Sequence, residues 1–162
     1  MDRPALDRLD RLISGTLRLW GMPALQLSLG IVFIWFGALK LFDLSPAADL
    51  VRNTVYWWDP AVFLPILGIW EIVIGICLLV RPLVRVAIPL LLIQMPGTML
   101  PLVLLPEVCF THPPFGLTLE GQYIVKNLVL VAAALVVGGS LRDREFRGEI
   151  LPGWRPRRGP RG

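Results

Sequence analysis

Histidine occurs once in these 162 residues, and cysteine and lysine twice each. A single histidine, placed in a loop, argues against a histidine-based triad and against haem ligation. Two cysteines exclude a disulfide scaffold, and Cys77 and Cys109 read as free thiols. Charge is also scarce, with Asp, Glu, Lys and Arg at 17% of the chain. There is no Walker loop, dinucleotide fingerprint, haem-attachment motif or zinc-finger spacing. Glu107, Cys109 and His112 are too few and too loosely spaced for a metal centre, so no metal is expected. The first 18 residues mix charges and lack an early apolar core, so no cleavable signal peptide is expected.

What the chain has instead is apolar residues in blocks, at 55% of the composition, which puts it in the membrane class. The block Ala61 to Val80 is 20 residues with one charge, Glu71, near its middle. At ~1.5 Å per residue it spans ~30 Å, the thickness of a bilayer's hydrocarbon core. A carboxylate at that depth costs a few kcal/mol unless it is paired, protonated or facing a polar cavity. Gly68, Glu71 and Gly75 share one helical face, the side on which another helix can approach closely.

The remaining blocks complete an all-α integral membrane protein. It is expected to be a four-transmembrane-helix bundle with spans at about 23–42, 61–80, 83–105 and 122–141. Residues 1–22 read as an N-terminal amphipathic interfacial helix, with Leu6, Leu9, Ile13, Leu17 and Trp20 on one face. Gly21-Met22-Pro23 is expected to turn the chain into the bilayer. Asp43 is close enough to pair with Lys40, and Ser45-Pro46 is expected to start a short helix in the first outer loop. Tyr56, Trp57 and Trp58 form an interfacial belt, and Asp59-Pro60 caps the second span. Pro96 and Pro101 are expected to break the third span, and residues 143–162 read as a basic disordered tail.

Thirteen arginines fall in the tails and the 81–85 turn, against Lys40, Arg52 and Lys126 on the other side. The positive-inside rule then puts both termini in the cytoplasm. Polar groups recur on the small-residue faces of the spans: Lys40, Glu71, Gln94 with Thr98, and Tyr123 with Lys126. These six are the candidate ligand-binding residues. Two readings stay open for them. In one, they hold the bundle together by interhelical hydrogen bonds. In the other, they line an outward-opening pocket for a quinone carbonyl or a small anion, with Glu71 handling a proton.

The stretches IVFIWFGALK, LGIWEIVIG and LTLEGQYIVKNLVLVAAALVV resemble the DoxX-like superfamily of small four-helix membrane proteins, over roughly residues 25–142. The likeness is greatest to the branch containing the bacterial reactive-chlorine-resistance inner-membrane protein, although that branch carries Lys-Asp at Lys126-Asn127. The resemblance implies a bacterial cytoplasmic membrane and an accessory role in redox homeostasis or oxidative-stress resistance. It also implies the lipid bilayer, a redox protein partner, a second copy of the chain and a quinone as candidate partners, and no nucleic acid. A membrane subunit of a quinone-linked oxidoreductase, or a small-solute or proton permease, are the other readings. The superfamily supplies no agreed catalytic set to carry over.

Overall fold

Prolines and short polar side chains set most of the helix boundaries, and two prolines expected to set one, Pro23 and Pro96, do not. The structure, a computed structural model, describes the backbone of residues 3–150 and the side chains of residues 10–140, Arg18 excepted. Helix α1 runs from Arg3 to Leu41 as a single 39-residue element with Pro23 inside it. The expected turn at Gly21-Met22-Pro23 is therefore absent, and no separate interfacial helix precedes the first span. Pro23 forfeits one bond, its missing N–H to the Leu19 carbonyl, which helical residues on both sides can absorb. The leucine stripe and the first span share one period, so periodicity could not separate one helix from two.

Just past the end of α1, Asp43 takes the left-handed conformation (φ 54°) more often given to glycine. The Leu44 N–H returns to the Leu39 carbonyl at 2.9 Å, closing the turn. Asp43 pairs with Arg52 at 2.7 Å, and not with Lys40 as its spacing suggested. Helix α2, Ala48–Thr54, begins later than Ser45-Pro46 predicts; its N-cap is Ala47, with no side-chain cap. Ser45 contributes its carbonyl instead, accepting from the Ala48 N–H at 3.0 Å. Helix α3, Pro60–Leu79, starts as expected, with the Asp59 carboxylate accepting from the Ala61 N–H at 2.9 Å.

The turn into helix α4, Val84–Met99, passes through Arg81-Pro82. Pro82 has no N–H to offer the Leu78 carbonyl. That carbonyl instead accepts from Gln26 Nε2 at 2.6 Å, which ties α1 to the end of α3. Pro89 and Pro96 lie inside α4 without ending it, so the expected break at Pro96 does not occur. The interruption is at Pro101, where the short helix α5, Pro101–Leu104, begins. The Gly97 carbonyl orphaned by Pro101 accepts from Leu100 N–H at 3.3 Å, a tighter turn that keeps it satisfied.

The loop between the third and fourth spans holds one helical turn, α6 (Pro106–Cys109), and a hairpin of β1 (Phe110–His112) with β2 (Gly116–Leu117). Thr118 caps helix α7, Leu119–Val125, by accepting from Gly121 N–H at 3.1 Å. Helix α8, Asn127–Ile150, follows after the joint at Lys126 and carries helix past the point where a disordered tail was expected. Residues 151–162 lie outside the described residues.

Among the described residues, four helices are long and apolar enough to cross a membrane, at Asp10–Leu41, Pro60–Leu79, Arg81–Leu104 and Leu119–Ser140. The antiparallel pair α1 and α3 sets the frame. A Cβ on Gly37 would lie 2.5 Å from the Gly68 carbonyl oxygen, and one on Gly68 would lie 2.7 Å from that of Gly37. Gly30 and Gly75 meet the same way, with a Gly75 Cβ 2.7 Å from the Gly30 oxygen. Only hydrogen fits between these backbones, so the register of α1 on α3 is fixed at two points. Below the level of Glu71 the bundle is solid: Ile74, Leu78, Val84, Ala87 and Leu91 are all 0% exposed. Ile66, Ile69, Val73 and Ile76, on the opposite face of α3, point outward and exposed, as lipid-facing residues do.

Candidate functional site

Three residues beyond Gly37 on α1 comes Lys40, and three beyond Gly68 on α3 comes Glu71. Every Cα–Cβ bond in a helix tilts toward that helix's N-terminus. Because the two helices are antiparallel, Lys40 leans inward along the bundle and Glu71 leans outward, and their side chains converge. Lys40 Nζ meets Glu71 Oε2 at 2.6 Å, with the two side chains 8% and 9% exposed. Gln94 on α4 donates from Nε2 to the other carboxylate oxygen, Oε1, at 2.9 Å. Each carboxylate oxygen thus has a donor. An attraction screened so little by water, with a donor on each carboxylate oxygen, offsets part of the cost of desolvating both charges. Gln94 Oε1, turned away from the carboxylate, is buried and has no hydrogen-bond partner.

This cluster lines a cavity of about 370 Å³. Glu71, Lys40 and Gln94 form its polar end, and Thr98 and Tyr123 contribute to its wall. Thr98 donates its hydroxyl to the Met95 carbonyl at 2.8 Å, while the Tyr123 ring stands 6.1 Å from that of Phe36. Five of the six candidate residues are therefore on one cavity. The sixth, Lys126, is exposed and outside the lining, and its neighbour Asn127 lines the cavity instead. The cause is the joint between α7 and α8, where the Val129 N–H bonds back to Lys126 at 3.0 Å, one residue short of the α-helical ladder. Lys40 sits at the deep end with Glu71, not at a mouth beside Lys126.

Sequence reasoning missed the outer cover. Ala47, Leu50, Val51 and Thr54 of α2 all line the cavity, followed by Val55, Trp57 and Trp58. Positions 47, 50, 51 and 54 are one helical face, a signal that was there to be found in the loop. The two tryptophans, taken as membrane anchors, are also wall residues. Cys109, by contrast, belongs to the loop packing. Its thiol is 0% exposed and donates to the Pro101 carbonyl at 3.4 Å. Burial pushes that thiol's pKa up, and the carboxylates of Glu120 and Glu107 add to the shift. Glu107 and His112 beside it are exposed.

The chain matches no family model, no curated protein and no solved structure.

Proposed function

We propose that this chain is a DoxX-like membrane protein that holds a quinone-type amphiphile within its bundle, in an accessory role in redox homeostasis. The observation that carries the reading is a buried Lys40–Glu71–Gln94 cluster at the end of a mostly apolar cavity. Small-molecule sites are of this kind: apolar walls of ~300–1,000 Å³ with a few placed polar groups. An ammonium has three N–H donors and Glu71 takes one, which leaves donors for a carbonyl oxygen. Glu71 is a carboxylate that can exchange a proton with such a headgroup, and Gln94 Oε1 offers an acceptor to a hydroxyl. Trp57, Trp58 and Phe36 supply aromatic surface for a flat ring. The resemblance in IVFIWFGALK and LGIWEIVIG supports the redox setting and a bacterial cytoplasmic membrane, and the arginine asymmetry supports both termini on the cytoplasmic side.

The fully buried layer from Ile74 to Leu91 favours a holding site over a permease, because it closes the bundle directly beneath the cluster. The test is purification in lipid nanodiscs, extraction into organic solvent and mass spectrometry. Wild type should carry quinone above the level of empty discs, and Glu71→Leu should lose it. Wild-type discs with no excess, before and after incubation with added quinone, would overturn the reading.

A further inference from the structure

Phe36 and Tyr123 belong to the walls of two cavities, not one. A second cavity of about 310 Å³ adjoins the first, between the outer end of α1, the approach to α2 and the start of α7. The two share Phe36, Ala47, Leu50 and Tyr123. The Phe36 and Tyr123 rings, 6.1 Å apart and tilted by 37°, stand at this shared wall. The contact between the two rings is made by side chains, which move far more readily than backbone. Beyond it the second cavity is faced by Leu39, Pro46 and Leu119, together with Ser45 and Glu120. Leu119 is 81% and Tyr123 44% exposed, so this cavity has an open side on the bundle's outer half.

We infer that the second cavity receives the hydrocarbon chain of a ligand whose polar head sits at Lys40 and Glu71. The inference rests on the first cavity binding such a head. At about 370 Å³ the first cavity is at the small end for ligand sites, so a ring that fills it must place its chain elsewhere. Two routes are blocked: inward by the buried layer of Ile74, Leu78 and Leu91, and outward by α2 with Trp57 and Trp58. A lateral route passes Phe36 and Tyr123 into the mostly apolar second cavity and from there to lipid. Those two rings set the waist through which the chain threads, and the ligand is an amphiphile entering sideways from the outer half of the bilayer.

The test compares a benzoquinone without an alkyl chain and the same headgroup with a decyl chain. Retention is measured on wild-type, Leu39→Trp and Leu119→Trp protein in nanodiscs, as variant-to-wild-type ratios in which lipid partitioning cancels. Leu39 and Leu119 line only the second cavity, and Leu119 is exposed enough to accept the larger side chain. The expected result is at least a tenfold loss of affinity for the decyl compound in both variants, with the chainless compound unchanged. Equal affinity of wild type and both variants for the decyl compound overturns the inference and leaves the headgroup site standing. Equal weakening of both compounds also overturns it. Failure of wild type to retain either compound overturns the headgroup reading, and the chain route falls with it.

Discussion

Lys40 and Glu71 touch at 2.6 Å although they are not level with one another in the bundle. The contacts Gly37–Gly68 and Gly30–Gly75 put Lys40 opposite Pro65, so about six residues of α3, ~9 Å, separate the pair along the axis. The two side chains, leaning toward each other, cross that gap together. Glu71 is thus the internal counter-charge of Lys40, and Lys126 has no part in the pair.

Removing one partner of a buried pair leaves the other uncompensated, which typically costs ~3–5 kcal/mol. Glu71→Leu and Lys40→Met are each expected to lower the melting temperature in detergent far more than Cys77→Leu. The double variant should recover much of the loss, because an apolar pair has no charge to desolvate. A double variant as unstable as the sum of the two singles would show that the residues do not interact.

Glu71→Gln separates binding from packing. It keeps the shape and a hydrogen bond to Lys40 while deleting the charge, so stability should fall less than for Glu71→Leu. Quinone retention should nevertheless drop. Full retention in Glu71→Gln would make the carboxylate a packing element only.

The close contacts of α1 and α3 predict a contrast among glycines. Gly37→Val and Gly68→Val would drive side-chain carbon into backbone, and overpacking of this kind costs ~1–3 kcal/mol or more. Gly97→Ala, where an added Cβ meets nothing within 4 Å, should melt close to wild type. Thermal unfolding by circular dichroism would decide, and comparable losses at all three sites would refute the fixed register.

Orientation is checked by cysteine labelling, but not at Cys109. Its thiol is buried, and its raised pKa keeps it neutral, whereas reaction with maleimide needs the thiolate. Cys109 should therefore label slowly at neutral pH. The sign of the shift also means that stability falls as pH rises from the ordinary thiol pKa toward the folded one, because the unfolded thiol ionises first. Phe115→Cys, at a position 93% exposed, is the better reporter in a Cys77→Ser, Cys109→Ser background. An impermeant maleimide should modify it in intact cells and should reach Arg81→Cys only after lysis. The opposite pattern would invert the topology.

Much of this architecture was legible as written. The apolar runs locate the four spans to within a few residues beyond the first, and Asp59-Pro60 announces its own cap. The stripes carrying Gly37 with Lys40, and Gly68 with Glu71, were readable as faces that pack. Their register was not, because it depends on which glycine meets which across two helices, and this decides between Lys40 and Lys126. Prolines misled in one direction: Pro23 and Pro96 sit in helices that absorb a single missing donor, while Pro101 marks the interruption expected of it. Pattern alone cannot say which, since the outcome depends on what else can satisfy the freed carbonyl. The short helix of the first loop was legible, but its role as a cover was not, because what its 47, 50, 51, 54 face packs on is set by the tertiary fold.

The continuity of α1 gives the molecule a fixed azimuth as well as a fixed register. A helix of 39 residues is ~58 Å long, against ~30 Å of hydrocarbon, so it must leave the apolar layer while still helical. Ile13, Leu17 and Trp20 are 49%, 65% and 69% exposed on the early part of that rod. Their direction about the axis is set, turn by turn, by Gly30 and Gly37 locked against α3. One residue inserted between Gly21 and Leu29 would swing that stripe by ~100° around the rod and shift it by ~1.5 Å, leaving the cavity untouched. A surface that meets this stripe would lose its bearing on the bundle through rotation alone.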